Sequence, residues 1–331
     1  MNSDERLPVL DGLRAVSILL VLASHMLPLG PKFLELNDTA GAMGMSLFFA
    51  LSGFLITSTL IQNSDVCEFL VKRLARILPL AYAYTFLVFT FLMFDPQAAF
   101  WTASFLLNYY PEYMVGGFNN HFWSLCVEMH FYIAIAIIVM IWRKKGLWIV
   151  WPACLIVTAM RINAGAYIHI QTHLRVDEIL AGACVATLYQ SSWKGRLRWP
   201  TTFAGVTALL WFLSGNPYAE WFQYLRPYAT ALVLAVVLCH SNTFLADFLT
   251  SRLMRYIAAV SYALYVVHPL TVHGWFNQGS TMDRYLLKRP ISFVMTFVAA
   301  HISTFYWEKF WMQAGRKWIR ARRTRLAQST I

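Results

Sequence analysis

Seven stretches of this chain each come close to the length of a bilayer-crossing helix: Leu7 to Met26, Ala42 to Ile61, Ile77 to Phe94, Phe122 to Trp142, Leu147 to Ala164, Ile257 to Trp275 and Ile291 to Trp311. Lipid offers no partner to backbone N–H and C=O groups, so runs of this kind fold as helices. Only 13% of the residues are charged and 58% are hydrophobic, whereas soluble domains are about one-quarter charged. The expected class is an all-α polytopic membrane protein. Three shorter stretches, Leu174 to Tyr189, Thr201 to Leu213 and Tyr228 to His240, bring the expected spans to ten. Ala98 to Tyr110 is too short and too aromatic to cross and reads as an interfacial or re-entrant segment. The short polar Met1 to Arg6, followed by an unbroken apolar run, reads as no cleavable signal peptide.

Lysine and arginine orient those spans, since cytoplasmic loops carry the positive excess. With ten spans and both termini cytoplasmic, 18 of the 27 basic residues fall inside: Arg6, the groups at 72–76, 143–145, 194–198 and 252–255, and the tail. Seven fall outside, and Arg14 and Lys309 lie within spans. The whole chain, 1–331, reads as one transmembrane domain with a basic cytoplasmic tail at 313–331 that contacts anionic lipid. The formal charge of +11 is thereby assigned to loops and tail, with no nucleic-acid partner expected. Five scattered cysteines give neither a disulfide framework nor a metal-ligand spacing, so no metal is expected.

Ionisable residues inside spans mark functional candidates. Arg14 and His25, eleven residues apart, return to nearly the same helix face about 16 Å further along. Ser124, Glu128 and Tyr132 recur every four residues on one face, with His121 at the helix entrance; the strip reads either as a functional carboxylate site or as interhelical hydrogen bonding. His130 faces away from it. Lys72, Arg73 and Arg76 gather on one helical side just before the third span, suited to phosphate contacts or to anchoring. Ser52 and Gly53 interrupt a large apolar run and leave room for a thin chain or for close helix packing. Arg175 and Asp177 at the entry to the sixth span read as a pair or as a sugar-binding rim. His268 precedes Pro269 within a span, where the proline frees a backbone carbonyl and the imidazole can satisfy a neighbour. Glu308 and Lys309 are expected to pair or snorkel.

The segments LDGLRAVSILLVLASH (Leu10 to His25), GMSLFFALSGFLIT (Gly44 to Thr57), FLVKRLARILP (Phe69 to Pro79), FWSLCVEMHFY (Phe122 to Tyr132), RVDEILAGA (Arg175 to Ala183) and AVSYALYVVHP (Ala259 to Pro269) occur in this order. Together they resemble the acyltransferase-3 family of integral-membrane carbohydrate O-acyltransferases. The resemblance implies transfer of an acyl group, usually acetyl from acetyl-CoA, onto a carbohydrate or glycolipid at a bacterial inner membrane, with acetyl-CoA as substrate and no permanently bound cofactor. It places function at Arg14 and His25 and maps the family's arginine pair onto Arg73 and Arg76, as binders of the CoA phosphates.

The expected site then has His25 as general base, with Glu128 fixing its tautomer. Arg14, Arg73, Arg76, Ser52 and Gly53 are expected on the donor side. His121, Tyr132, Arg175, Asp177 and His268 are acceptor-binding or structural. The family often shows a second carboxylate beside Glu128 where this chain has Met129, and an aspartate where it has Ser46. Cys126 is a further candidate as an acyl carrier. No extracytoplasmic hydrolase-like domain is expected. A proton-coupled transporter would use the same charged residues, and a non-enzymatic assembly factor would tolerate their loss. Oligomeric state is not specified by the sequence.

Overall fold

The computed structural model describes residues 7–191, 201–239 and 244–328. Met1 to Arg6, Lys194, Arg196, Arg198 and His240, invoked above, lie outside the described residues. Within them helix follows helix and there is no strand. Five helical stretches are long and apolar enough to cross a membrane: Pro8–Met26, Lys32–Gln62, Val66–Leu92, Phe122–Asn163 and Pro217–Cys239. The protein is an all-helical membrane protein.

Helix α1 (Pro8–Met26) begins on a proline, whose missing N–H is unneeded in the first turn, and places Asp11 near the positive end of its dipole. It is unbroken, so Arg14 and His25 do share one helix. Helix α2 (Leu36–Gln62) runs back along it, with Gly41 against Ser24 and Gly44 against Ser17 and Val21. Helix α3 (Val66–Leu87) starts at Asp65, whose carboxylate accepts the Glu68 N–H at 3.0 Å. That start lies three turns before the expected one, so Lys72, Arg73 and Arg76 sit within the helix. Hydropathy marks the lipid-facing part of a helix, whereas the backbone hydrogen bonds continue through its charged end.

Helix α4 (Pro96–Ala103) has eight residues and gives way to 3-10 turns as far as Tyr113, in keeping with a segment that does not cross. Helices α5 (Phe122–Trp142) and α6 (Val150–Asn163) are separated by a 3-10 segment, Arg143–Ile149, at whose start Arg143 adopts φ 54°. Helix α7 (Asp177–Tyr189) packs along α2 with the two backbones almost touching. A Cβ on Gly53 would stand 1.8 Å from the Ile179 carbonyl, and one on Gly182 would stand 1.9 Å from that of Ala50. Gly53 is therefore a packing residue, the second of the two expected roles: the room for a thin chain there is filled by α7.

Helices α8 (Thr201–Gly215), α9 (Arg226–Cys239) and α10 (Phe244–Leu249) follow. Helix α11 (Arg252–Val267) is capped by Ser251 and ends at His268, after which α12 (Pro269–Val272) restarts on the proline. Helix α13 (Arg289–Ile302) passes through a π-helical turn into α14 (Lys309–Gln328), which packs against α3. The basic tail has protein partners: Arg322 bonds Asp65 at 2.6 Å, and Arg323 pairs with Glu68. Glu308 is buried and accepts from Ser303 and Thr304, each at 3.1 Å, with no pairing to Lys309.

Candidate active site

In an α-helix the N–H of residue 269 would serve the carbonyl of residue 265, and Pro269 has none to give. His268 fills the gap, with Nδ1 2.7 Å from the Tyr265 carbonyl oxygen. A carbonyl only accepts, so Nδ1 carries the proton and, in the neutral ring, Nε2 is left as an acceptor. That Nε2 lies 3.0 Å from His25 Nδ1, and the two ring planes are nearly parallel, at 9°. His25 therefore donates through Nδ1 and keeps a free lone pair on Nε2. One proline at the start of α12 thus fixes, through two hydrogen bonds, the tautomer of a histidine on α1.

His25 is exposed, but to a cavity of about 880 Å³. His121, His268, His273, Arg175 and Arg289 share its walls. His121 donates through Nε2 to the Val266 carbonyl at 3.1 Å, while its buried Nδ1 has no partner. The Tyr265 hydroxyl donates to the His121 carbonyl at 2.8 Å and meets Ser124 Oγ at 2.6 Å, tying α5 to α11.

A second and much narrower cleft, about 50 Å³, lies at the Arg14 end of α1, lined by Arg14, Arg73, Arg76, Ser52, Glu128 and Tyr132. Arg14 stands 3.8 Å from Asp11, so its guanidinium both pairs locally and faces the cleft. Glu128 Oε1 accepts from the Tyr132 hydroxyl at 2.6 Å and from Ser52. This corrects the expected His25–Glu128 dyad. Glu128 lies seven residues into α5, about 9 Å from its start, and belongs to the arginine cleft; the partner of His25 is His268. Phe48 lines the narrow cleft and stacks on Tyr265, which lines the cavity, with centroids 6.1 Å apart. That aromatic pair stands between the two spaces.

The Arg175/Asp177 pair is corrected as well. Residues two apart at a helix entry do not face each other. Asp177 instead pairs with Arg161 at 2.6 Å, and Arg226 bonds Glu178 at 2.7 Å, all four side chains fully buried. Arg175 reaches Glu178 at 3.3 Å without hydrogen-bond geometry, and its Nε and Nη1 have no partner. Its guanidinium lies over the rings of Trp123 and Phe49, at 5.4 and 6.0 Å. Ser46 bonds Thr230 at 2.6 Å, and His130 meets Thr172 at 2.6 Å, away from Glu128. Cys126 is buried and lines neither space, and all five cysteines are free. Among the described residues no group of three or more His, Cys, Asp or Glu side chains is arranged to hold a metal ion.

Sequence reasoning misses His273 and Arg289 on the cavity wall, and the pairing of Arg161 and Arg226. His273, five residues after His268, gives no helical register because the helix breaks between them. Arg289 next to Lys288 reads as one more loop cation, yet Lys288 is tied to the Trp275 and Gln278 carbonyls at 3.0 and 2.9 Å, and Arg289 turns inward.

Residues 7–307 match a family model described as an acyltransferase domain. The chain is similar to the O-acetyltransferase OatA of Staphylococcus aureus, at 25% identity over 84% of this chain and 53% of that protein. It is also similar to the putative peptidoglycan O-acetyltransferase YrhL of Bacillus subtilis, at 26% identity over 79% of this chain and 48% of that protein. The chain spans about half the length of the curated relatives it matches. No solved structure matches it.

Proposed function

Because the chain belongs to the acyltransferase family that its residues 7–307 match, we propose that it is a membrane-bound O-acyltransferase. The acyl group, acetyl in our reading, moves from acyl-CoA to a hydroxyl of a carbohydrate or glycolipid, and the relatives' names support both the acetyl group and the carbohydrate acceptor. In this reading the chain crosses a bacterial inner membrane ten times with both termini cytoplasmic. The observation that carries the proposal is the pairing of two spaces along α1: a cleft with three guanidinium groups at one end, and His25 with a free Nε2 in a large cavity at the other.

The CoA phosphates bind at the mouth of the arginine cleft, where Arg73 and Arg76 are partly exposed, and guanidinium suits phosphate. The acyl-pantetheine arm passes the Phe48–Tyr265 pair toward His25. There Nε2 takes the proton of the acceptor hydroxyl as its oxygen attacks the thioester carbonyl. The tetrahedral adduct collapses, the C–S bond breaks, and the imidazolium returns the proton to sulfur, giving ester and free CoA thiol. His268 holds the tautomer throughout and is a positioning residue. A two-step route through acyl-His25 uses the same lone pair; trapping that intermediate by rapid mixing without acceptor would displace direct transfer.

The test is thiol release from acetyl-CoA by the purified protein with candidate glycans. His25→Ala is expected to lower kcat about 10²- to 10⁴-fold, the usual contribution of a general base, with normal membrane insertion. Wild-type turnover by that variant would refute the assignment. Movement of solute across vesicles without thiol release would favour a transporter.

A further inference from the structure

The wall of the His25 cavity carries positive charge that the described residues do not balance. Arg161, Arg175 and Arg226 share two carboxylates, Asp177 and Glu178, and the sharing is unequal: Arg161 and Arg226 take the short bonds and Arg175 the long one. Arg175 is 2% exposed and two of its nitrogens, Nε and Nη1, have no partner. Arg289, 6% exposed, lines the same cavity. Its Nη1 and Nη2 reach only the Val272 carbonyl and Asn277 Oδ1, each at 3.4 Å, and its Nε has no partner. The one carboxylate among the described lining residues is Asp38, which is exposed. Buried cations in native proteins are paired or hydrogen-bonded. Two guanidinium groups that line one cavity, have only long contacts and keep N–H groups without a partner, call for an anion from outside the chain.

We propose that Arg175 and Arg289 hold an oxyanion of the acceptor, a carboxylate or phosphate on the sugar or on its lipid linkage, while the acceptor hydroxyl faces His25. The acceptor is then an anionic glycan or glycolipid. The hydroxyl at His25 rests on the acyl-transfer reading; the anion site rests on the arginines alone. Guanidinium suits such a group because its planar fork donates two parallel hydrogen bonds to two oxygens. Trp123 and Phe49 hold the Arg175 plane without using its free N–H groups, which leaves them for the ligand.

The experiment measures binding of three small probes to the full chain in nanodiscs of neutral lipid: methyl glucuronide, methyl glucoside 6-phosphate and uncharged methyl glucoside. At least one anionic probe is expected to bind tenfold or more tightly than the neutral one, with the advantage shrinking in salt. Whichever wins identifies the oxyanion as carboxylate or phosphate. Arg289→Gln is expected to erase the advantage and Arg289→Lys to keep part of it. Arg175→Gln is expected to act as Arg289→Gln does, read only if its Tm shows a folded protein; Arg289, outside the shared ion network, keeps the test decisive otherwise. Equal binding of all three probes, or an anion preference that survives Arg289→Gln, overturns the proposal. Because binding needs no turnover, a protein that prefers the anion yet releases no thiol keeps the anion site and loses the transferase reading. One that turns over without preference does the reverse.

Discussion

Removing the His268 ring separates the tautomer chain from the fold around it. In His268→Ala, His25 loses the acceptor 3.0 Å from its Nδ1, and the Tyr265 carbonyl loses the donor at 2.7 Å. The first loss acts on catalysis. A net hydrogen bond contributes about 1 kcal/mol, so the preference for the His25 tautomer with a free Nε2 falls roughly fivefold to tenfold, and loss of ring orientation adds to that. We expect kcat to drop about 10- to 100-fold, less than for His25→Ala. The second loss acts on stability, since an unsatisfied buried carbonyl costs about 1–3 kcal/mol and lowers Tm. His268→Gln separates the two effects: an amide oxygen at this position accepts from Nδ1 and restores part of kcat. Pro269→Ala gives the complementary perturbation, supplying an N–H that competes for the Tyr265 carbonyl and frees His268 to adopt either tautomer. The assay is thiol release in nanodiscs, with Tm measured on the same samples. Because both histidines act through one lone pair, His25→Ala/His268→Ala should be no slower than His25→Ala alone. Wild-type kcat in His268→Ala, or a double-variant loss equal to the product of the single losses, would refute the chain of hydrogen bonds. Activity should also have an acidic limb, because a proton on Nε2 removes the base.

Gly53→Ala should destabilise the protein by about 3 kcal/mol or more, at the upper end for overpacking, because the new methyl stands 1.8 Å from the Ile179 carbonyl and only backbone separation of α2 and α7 can relieve it. Thermal unfolding checks this, and an unchanged Tm would show that the helices are further apart. At the other end of the molecule, partial burial pushes the Asp65 carboxyl up, but the Glu68 N–H and Arg322 outweigh it and hold the carboxyl below its usual range. A depressed value means that the contact's stabilisation is present above about pH 4, the ordinary carboxylate value, and is lost as pH falls through the lower, folded one. Hydrogen-exchange protection across 309–328, taken relative to the intrinsic amide rate at each pH, should therefore fall in acid, and Asp65→Asn should show the lower protection already at neutral pH; protection independent of both would refute docking by this contact.

Much of the helix inventory was legible because apolar run length reports lipid contact directly: α1 and α5 begin and end within a residue of their expected bounds. The start of α3 was not, since Phe69 to Arg76 mixes charge with apolar residues and hydropathy does not register a helix that continues past the lipid. The length of α7, 13 residues, shows the opposite case, in which polar entry residues and packing against neighbours replace lipid exposure.

The site divides along the same line. His268 followed by Pro269 is a local grammar: a missing N–H, a carbonyl four residues earlier, and an imidazole beside it. Sequence alone therefore gives the freed carbonyl and the imidazole beside it, and the structure joins them. The rest of the tautomer chain needs the depth at which α1 and α11 meet, and depth is what hydropathy resolves least. A shift of two helical turns was enough to move Glu128 from the His25 level to the arginine cleft, where Ser52 and Tyr132 occupy it. The ion network has the same origin. Arg161, Arg175 and Arg226 sit in three different segments and look like three outer-loop cations, yet folding brings them onto two carboxylates of one helix entry. Charge counting along a chain assigns sides to loops; it does not say which cation will be left over when the helices close. Here that cation is Arg175, a cavity-lining residue with the aromatic rings beneath it and two N–H groups without a partner.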